Sequence, residues 1–353
     1  MQIYLLYGGQ NAEHDSSIAS AFAVIRAIYF KYYSVCPIYI TKTGEWLRGA
    51  TLHEPLTDVG ELRLVAGATA QFGGTVSQST GIDIRPGELV VKDAVVFPMM
   101  HGQNAEDGTI QGLLQSLGVP YVGDGVLASA VGMDKIVSKM LFQQAGIPQA
   151  PYVPLLKAQW QTETEKILAR CEGSLLYPMY VKPANLGSSL GVSRVADRTA
   201  LIAAIEEAFN FASRVLVEQG IVAREIELGL LGDAELRFSI PGEVVKSSDG
   251  VRQLREQLEI PASIDPEILA KMKQYAQRAY AIMDGSGLAR CDFFLTANGD
   301  VLLNEINTMP MFDQDAMYPQ LWQKMGLSSG DLIEELIQLA SHRFKRQQAQ
   351  QNF

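Results

Sequence analysis

Arg290, Asp292, Glu305 and Asn307 are the residues of this 353-residue sequence best suited to do chemistry together. They fall in two strand-like runs, Arg290-Cys291-Asp292 and Leu303-Asn304-Glu305-Ile306-Asn307, in which residues two apart project from the same face. Pairing of the runs through the turn Ala297-Asn298-Gly299-Asp300 would gather a guanidinium, two carboxylates and an amide. Mg²⁺ takes hard oxygen ligands, usually one or two carboxylates together with substrate phosphates, so Asp292, Glu305 and Asn307 are candidate metal ligands. Arg290 could stabilise charge on a transferred phosphoryl group or an oxyanion. Taken alone, the pattern equally describes an ordinary hairpin with salt-bridged polar residues on its wet face.

A second group belongs to the same chemistry. In Tyr180-Val181-Lys182-Pro183-Ala184-Asn185-Leu186-Gly187-Ser188-Ser189-Leu190-Gly191 a lysine ends a strand and a glycine-rich loop follows. Glycines let backbone N–H groups approach phosphate oxygens, and a lysine adds a point charge. No G-K-[ST] opens a helix here, so this is not a Walker loop, and a Gly/Ser loop can equally be a plain connector. Lys135, in Gly132-Met133-Asp134-Lys135, could reach the same phosphates; alone it would read as a surface lysine.

Those residues need elements to hold them. Ile3 to Tyr7 followed by Gly8-Gly9 reads as a buried strand and turn, with a helix from near Ser16. The strand Ala94 to Met99, the turn His101-Gly102 and the segment Thr109 to Leu117 repeat the pattern, giving an α/β layer with a mostly parallel sheet. Ligands in such sheets bind at the carboxyl ends of strands, where both glycine turns lie. A helical period from Ala128 to Ala145 ends at Gly146, with Pro148 and Pro151 beyond it. Strands Met179 to Lys182, Val215 to Glu218, Glu225 to Leu231, Leu236 to Ile240, Cys291 to Thr296 and Val301 to Ile306, with helices Ala200 to Phe211 and Pro266 to Met283, make the remainder α+β.

Composition narrows the class. With 47% hydrophobic residues and no low-complexity tract, the chain can bury a substantial core divided over two or three domains. A net charge of −10 argues against a nucleic-acid surface and for small-molecule chemistry. Apolar runs such as Ala94 to Met100 are too short to cross a bilayer, and no basic segment precedes the first strand, so neither membrane anchor nor signal peptide is expected. Cys36, Cys171 and Cys291 are scattered and odd in number, which suggests no disulfide or zinc framework and fits a reducing cytoplasm. The tail Ser341 to Phe353, with His342, Arg343, Lys345 and Arg346, is expected to be a frayed, solvated terminus.

Taken together, several motifs resemble the D-alanine:D-alanine ligase family of the ATP-grasp superfamily. They are Gly8-Gly9-Gln10-Asn11-Ala12-Glu13-His14, His101-Gly102 with Glu106-Asp107-Gly108-Thr109-Ile110-Gln111-Gly112, Met133-Asp134-Lys135, Val181-Lys182-Pro183 with Gly187-Ser188-Ser189, Val217-Glu218, Arg224-Glu225, and Asn304-Glu305-Ile306-Asn307-Thr308-Met309-Pro310. They span almost the whole chain in the family's order. The resemblance implies an ATP-grasp fold with an N-terminal α/β (pre-ATP-grasp) domain: residues 1–124 as substrate domain, 125–214 as central subdomain and 215–353 as C-terminal subdomain with the metal site. It also implies that ATP phosphorylates the carboxylate of a first D-alanine and that the amine of a second attacks the acyl phosphate, for peptidoglycan synthesis. Lys135, Lys182, Gly187 and Ser189 would hold the phosphates, with Glu218 and Glu225 on the adenine-ribose side. Asp292, Glu305 and Asn307 would bind two Mg²⁺ ions, with Mn²⁺ as a substitute. Glu13 would accept the first ammonium, with Ser188 and His101 nearby, while Arg290 and the backbone N–H near Met311 would form the oxyanion site. Met311, Ala316 and Met317 would fall at the second substrate. A cytoplasmic homodimer without nucleic-acid or membrane partners completes the expectation.

Two segments depart from the family pattern. Met311-Phe312-Asp313-Gln314-Asp315-Ala316-Met317 puts alanine where the family has a serine for the second substrate's carboxylate, and adds two carboxylates that would repel it. The segment from Val245 to Ile260 is short for the family's closing loop and has no aromatic residue, and loss of a lid should affect acceptor choice more than ATP binding. Arg252 or Arg255 could supply a cation there. Three readings stay open: D-alanine as acceptor; another acceptor such as D-lactate, D-serine or a different amino acid; and a non-catalytic nucleotide-binding homologue. Retention of Lys135, Lys182, Arg290, Asp292, Glu305 and Asn307 speaks against the last.

Overall fold

The computed structural model describes residues 1–67, 79–187, 191–248 and 254–351. Its first sheet contains β1 (Gln2–Gly8), β2 (Ser34–Ile40), β3 (Trp46–Arg48), β4 (Val65–Ala66), β5 (Thr80–Asp83) and β6 (Ala94–Met99), in the order β4-β5-β3-β2-β1-β6. β1 pairs in parallel with β2 and β6. Its apolar run is continuous because both faces are covered. Ile3, Leu5 and Tyr7 enter a core with α1 (His14–Ala27), while Tyr4 and Leu6 enter one with α2 (Thr109–Ser116).

The expected helix over Ala128 to Ala145 is two helices, α3 (Val126–Met133) and α4 (Lys135–Gln144). Asp134 leaves helical geometry between them, and its carboxylate accepts the N–H groups of Ile136 and Val137 as an N-cap. The break has a consequence for Lys135, whose backbone N–H donates to Ala184 O at 2.8 Å and ties the start of α4 to the end of a distant strand.

That strand lies in the second sheet, antiparallel in the order β7-β10-β8-β9, with β7 (Tyr152–Leu156), β8 (Met179–Pro183), β9 (Ser193–Val195) and β10 (Arg214–Gln219). α5 (Lys157–Ser174) and α6 (Arg198–Ala208) cover one face, burying Met179 and Val181 of β8. Alternation therefore turns Tyr180 and Lys182 to the other face.

The third sheet is antiparallel in the order β13-β12-β11-β14-β15: β11 (Ala223–Gly232), β12 (Arg237–Ser248), β13 (Leu254–Glu259), β14 (Gly287–Thr296) and β15 (Val301–Asn307). Where a loop was expected between Val245 and Ile260, β12 and β13 pair from Glu243↔Glu259 to Ser248↔Leu254 as a hairpin; Arg252 lies outside the described residues. Ile226, Leu228, Cys291, Phe293 and Leu303 pack with α3, α4 and α7 (Pro266–Ile282) on one face. Alternation sends Glu225, Glu227, Arg290 and Asp292 to the opposite face. α8 (Met317–Gln323) packs on that face too, because a Cβ added to Gly242 would stand 2.4 Å from Met317 Sδ and one added to Gly229 would stand 3.0 Å from Trp322 Nε1.

As far as Gln351, the C-terminal tail is helical rather than frayed. α9 (Ser329–Gln351) runs through it and packs Leu332, Ile333, Leu336 and Ile337 into the core of the first sheet. Arg343 is 9% exposed, lies over the Tyr121 ring and donates to the backbone carbonyls of Tyr121, at 2.8 Å, and Gly123. Removing a charged donor from two buried carbonyls leaves both unsatisfied, so Arg343→Met is expected to lower unfolding free energy by roughly 2–3 kcal/mol in urea titrations. A loss below about 0.5 kcal/mol, the range of ordinary surface substitutions, would refute this anchoring role.

Candidate active site

β14 and β15 pair antiparallel with Arg290 opposite Asn307 and Asp292 opposite Glu305, so the four residues singled out first share one face. A register shift beyond Asp292 leaves Asn304 and Glu305 both lining the same cleft. Arg290 forks onto Asp292, its Nε and Nη2 donating to Oδ1 and Oδ2 at 2.7 Å each. Its Nε also lies 2.9 Å from Oε2 of Glu227, a residue the sequence reading passed over. Burial raises the pKa of Asp292 against the opposing pull of Arg290. Burial, with Asp292 beside it, pushes Glu227 up to about 8.

The polar face of the second sheet closes on this one across an open cleft of about 320 Å³. Lys182 of β8 and Glu218 of β10 lie diagonally on one face, with Lys182 Nζ 2.6 Å from Glu218 Oε2. Glu218 Oε1 is 2.5 Å from the buried Nζ of Lys139, which also lies over the Tyr152 ring. Burial disfavours the charge on Glu218, but Lys182 and Lys139 outweigh it and hold the pKa below the usual carboxylate range. Both oxygens of Glu218 are thus engaged in fixing lysines. Lys139 was missed in sequence although it stands four residues after Lys135, on the same side of one helix. Lys135 Nζ donates to Leu186 O at 3.0 Å and lies 3.6 Å from Glu305 Oε2. Glu225 lines the cleft beside Phe294 and Ile221.

A narrower recess shares Lys135, Gly187 and Glu305 with this cleft. Beside it stand two carboxylates. Glu13 precedes α1 without capping it through its side chain; burial raises its pKa, with Lys135 opposing. Glu106 Oε1 accepts the N–H of Gly102 at 3.0 Å. A Cβ at Gly187 would stand 2.6 Å from Glu106 Oε1 and 3.2 Å from Glu13 Oε1, so only glycine allows that approach. Glu106 lay inside a quoted motif but carried no role, since one sequence cannot show that its carboxyl turns inward. Ser188 and Ser189 lie outside the described residues.

His101 is 2% exposed and does not line the recess. Its Nε2 is 2.9 Å from Ser20 Oγ, which in turn accepts the N–H of Phe312 at 3.2 Å. Burial pushes its pKa down to about 4 despite a hydrogen bond with the Met309 backbone. A neutral imidazole therefore braces the first sheet against the segment that follows β15. In that segment Met311 is exposed, Ala316 caps α8 without a side-chain bond, and Met317 is buried. Asp313 Oδ1 accepts the N–H of Asp315 at 3.2 Å, which turns this carboxylate onto its own loop.

Among the described residues no three acidic, histidine or cysteine side chains form a ready metal cage. The donor set nevertheless suits a hard cation shared with phosphates. Asp292 and Glu305 offer carboxylate oxygens, and Asn307 offers Oδ1, which accepts only the N–H of Met309 among the bonds described. Burial would raise the Glu305 pKa, but Lys135, Lys182 and Arg290 outweigh it and keep the carboxylate charged.

Two antiparallel sheets closing on a lysine-lined cleft, with a carboxylate hairpin at its end and a parallel α/β unit before them, define an ATP-grasp enzyme. The chain belongs to the D-Ala–D-Ala ligase family: residues 2–124 match the family's N-terminal model and residues 141–338 its C-terminal model. It is 51% identical to the D-alanine–D-alanine ligase of Enterococcus hirae, over 99% of this chain and 98% of that one. With the Listeria monocytogenes ligase it shares 47% identity over 97% and 96%. The solved D-alanine–D-alanine ligase of Coxiella burnetii aligns with a TM-score of 0.80 at 31% identity, covering 99% of this chain and 96% of that one. A D-Ala:D-Ser ligase from Enterococcus faecalis aligns at 0.82 and 29%, covering 96% and 99%.

The buried Glu106 carboxyl makes a pH signature. Burial first, and Glu13 second, raise it from 4.5 to about 8, so the folded state keeps a proton that the unfolded state has lost. The stability from this group is full below about 4.5, falls as pH rises and levels off above about 8. Glu106→Gln lacks this loss, so its stability relative to the parent should grow across that window in urea titrations. A difference independent of pH would contradict it.

Proposed function

We propose that this chain joins two D-alanine molecules with hydrolysis of ATP to ADP and phosphate, supplying D-alanyl-D-alanine for peptidoglycan. The observation that carries the proposal is the meeting of Lys135, Lys182 and Arg290, from three separate elements, around Glu305. Phosphoryl transfer needs positioning and charge neutralisation more than covalent help from side chains, and this cluster supplies both. Lys182, fixed by Glu218, and Lys135, fixed by Leu186 O, would hold the phosphates of ATP lying along the cleft. Asp292, Glu305 and Asn307 would hold two Mg²⁺ ions, or Mn²⁺ in their place, which neutralise phosphate charge.

Glu13 would accept the ammonium of the first D-alanine, directing its carboxylate toward the γ-phosphate. Attack by one carboxylate oxygen forms the acyl phosphate and releases ADP. The free amine of the second D-alanine then attacks the acyl carbon, loses a proton and expels phosphate. Arg290 would stabilise the tetrahedral oxyanion between these events. The three cysteines are all free and buried, which fits a reducing cytoplasm. Family resemblance supports a homodimer.

A second reading changes only the acceptor. Ala316 offers no hydroxyl at the start of α8, and Asp313 and Asp315 stand in the same turn. The likeness to a D-Ala:D-Ser ligase leaves the fold compatible with more than one acceptor. Incubation with Mg·ATP, D-alanine and a panel of D-amino acids, D-lactate and amines, scored by ADP release and product mass, tests both readings. The leading one predicts D-alanyl-D-alanine as main product, and Lys182→Met is expected to cut kcat/KM for ATP at least about 100-fold. Release of AMP and pyrophosphate instead would refute the mechanism, and a faster non-alanine acceptor would favour the second reading.

A further inference from the structure

Glu227 belongs to no motif that the sequence brought forward, yet it stands at the centre of the charged face. It is the direct cross-strand neighbour of Asp292 on one side and of Gly242 on the other, and Gly229, two residues on, faces Arg290. The room above Gly242 is taken by Met317 Sδ, and that above Gly229 by Trp322 Nε1 and Ser239 Oγ. α8 therefore packs over the cross-strand neighbours of Glu227 and Arg290, and Glu227 Oε2 is shut off from solvent 2.9 Å from Arg290 Nε.

Arg290 is held from two directions. Asp292 accepts from Nε and Nη2, while Glu227 Oε2, on the neighbouring strand, lies 2.9 Å from the same Nε and accepts no hydrogen bond among the described residues, so it stands ready to receive the Nε–H when Asp292 turns away. Under the function proposed above, the oxygens of Asp292 are wanted by a divalent cation, and a guanidinium that lost its fork would have to be held in place by something else. A carboxylate on Nε does this and leaves the Nη groups for an oxyanion.

We propose that Glu227 is a positioning residue, holding Arg290 on the sheet by its Nε while Asp292 serves the metal. This rests on the function proposed above.

The test uses the full-length protein and the variants Glu227→Gln, Glu227→Leu and Glu227→Asp. Each is assayed for kcat, for KM of ATP, and for the rise in melting temperature produced by Mg·ADP without amino acid. An outer partner that orients a functional group is worth about 10- to 100-fold. The expected result is a kcat about 10-fold lower for Glu227→Gln and about 100-fold lower for Glu227→Leu. Glu227→Asp should recover to within about 10-fold of the parent, while KM for ATP and the Mg·ADP shift stay within about twofold throughout. An unchanged kcat would overturn the inference. So would a KM for ATP raised in step with a lost Mg·ADP shift, which would make Glu227 a metal or nucleotide ligand. A parent protein that releases no ADP would overturn the proposed function itself, and that failure is seen before any substitution is made.

Discussion

Charges of both signs are buried on facing surfaces of two sheets, and each can stay there only because an opposite charge lies within contact distance. A lone buried ion costs several kcal/mol even after relaxation, and leaving one member of a pair unmatched is strongly destabilising. Glu218 lies between Lys139 and Lys182, Glu305 lies near Lys135, and Arg290 lies between Asp292 and Glu227. Apart from Arg290 and Asp292, which share β14, each pair joins residues on different elements, so the charge balance depends on the register of β8 with β10 and of β11, β14 and β15. The fold serves to bring these registers together.

The flanking structure serves that balance. The break at Asp134 delivers Lys135 to the strand end at Ala184. His101 stays neutral and braces the segment after β15 through Ser20. Arg343 locks α9 to the turn after Tyr121, and α9 completes the core of the first sheet although it lies more than 200 residues along the chain. Chain order and core membership therefore diverge, which short-range periodicity cannot reveal.

Much of the architecture was legible in the residues. Continuous apolar runs marked β1 and β6, alternation marked β8 and β15, and the Arg290-x-Asp292 and Glu305-x-Asn307 spacings placed two side chains on one face of each strand, which the pairing then brings together. What stayed hidden depended on tertiary burial. Glu106 and Lys139 look like ordinary surface charges until a glycine loop and a tyrosine ring close over them, and Glu227 does so until strand pairing sets it beside Arg290. The tail misled for the same reason, because a cationic, glutamine-rich stretch reads as solvated unless a partner such as Tyr121 is in view. Helix continuity across Asp134 misled because the period of the apolar residues survives a one-residue break.

The half of this face proposed to activate ATP is supported by paired charges, whereas Met311, Ala316 and Met317, in the segment proposed to meet the acceptor, carry no charge to fix a substrate. Activation of a carboxylate as an acyl phosphate is thus the central claim. It is tested most directly with D-alanine labelled by ¹⁸O in its carboxylate, followed by mass analysis of the released phosphate. The acyl-phosphate route predicts one ¹⁸O atom in phosphate for each dipeptide formed, since the oxygen that attacks the γ-phosphorus leaves with it. Unlabelled phosphate, or label appearing in AMP, would contradict it.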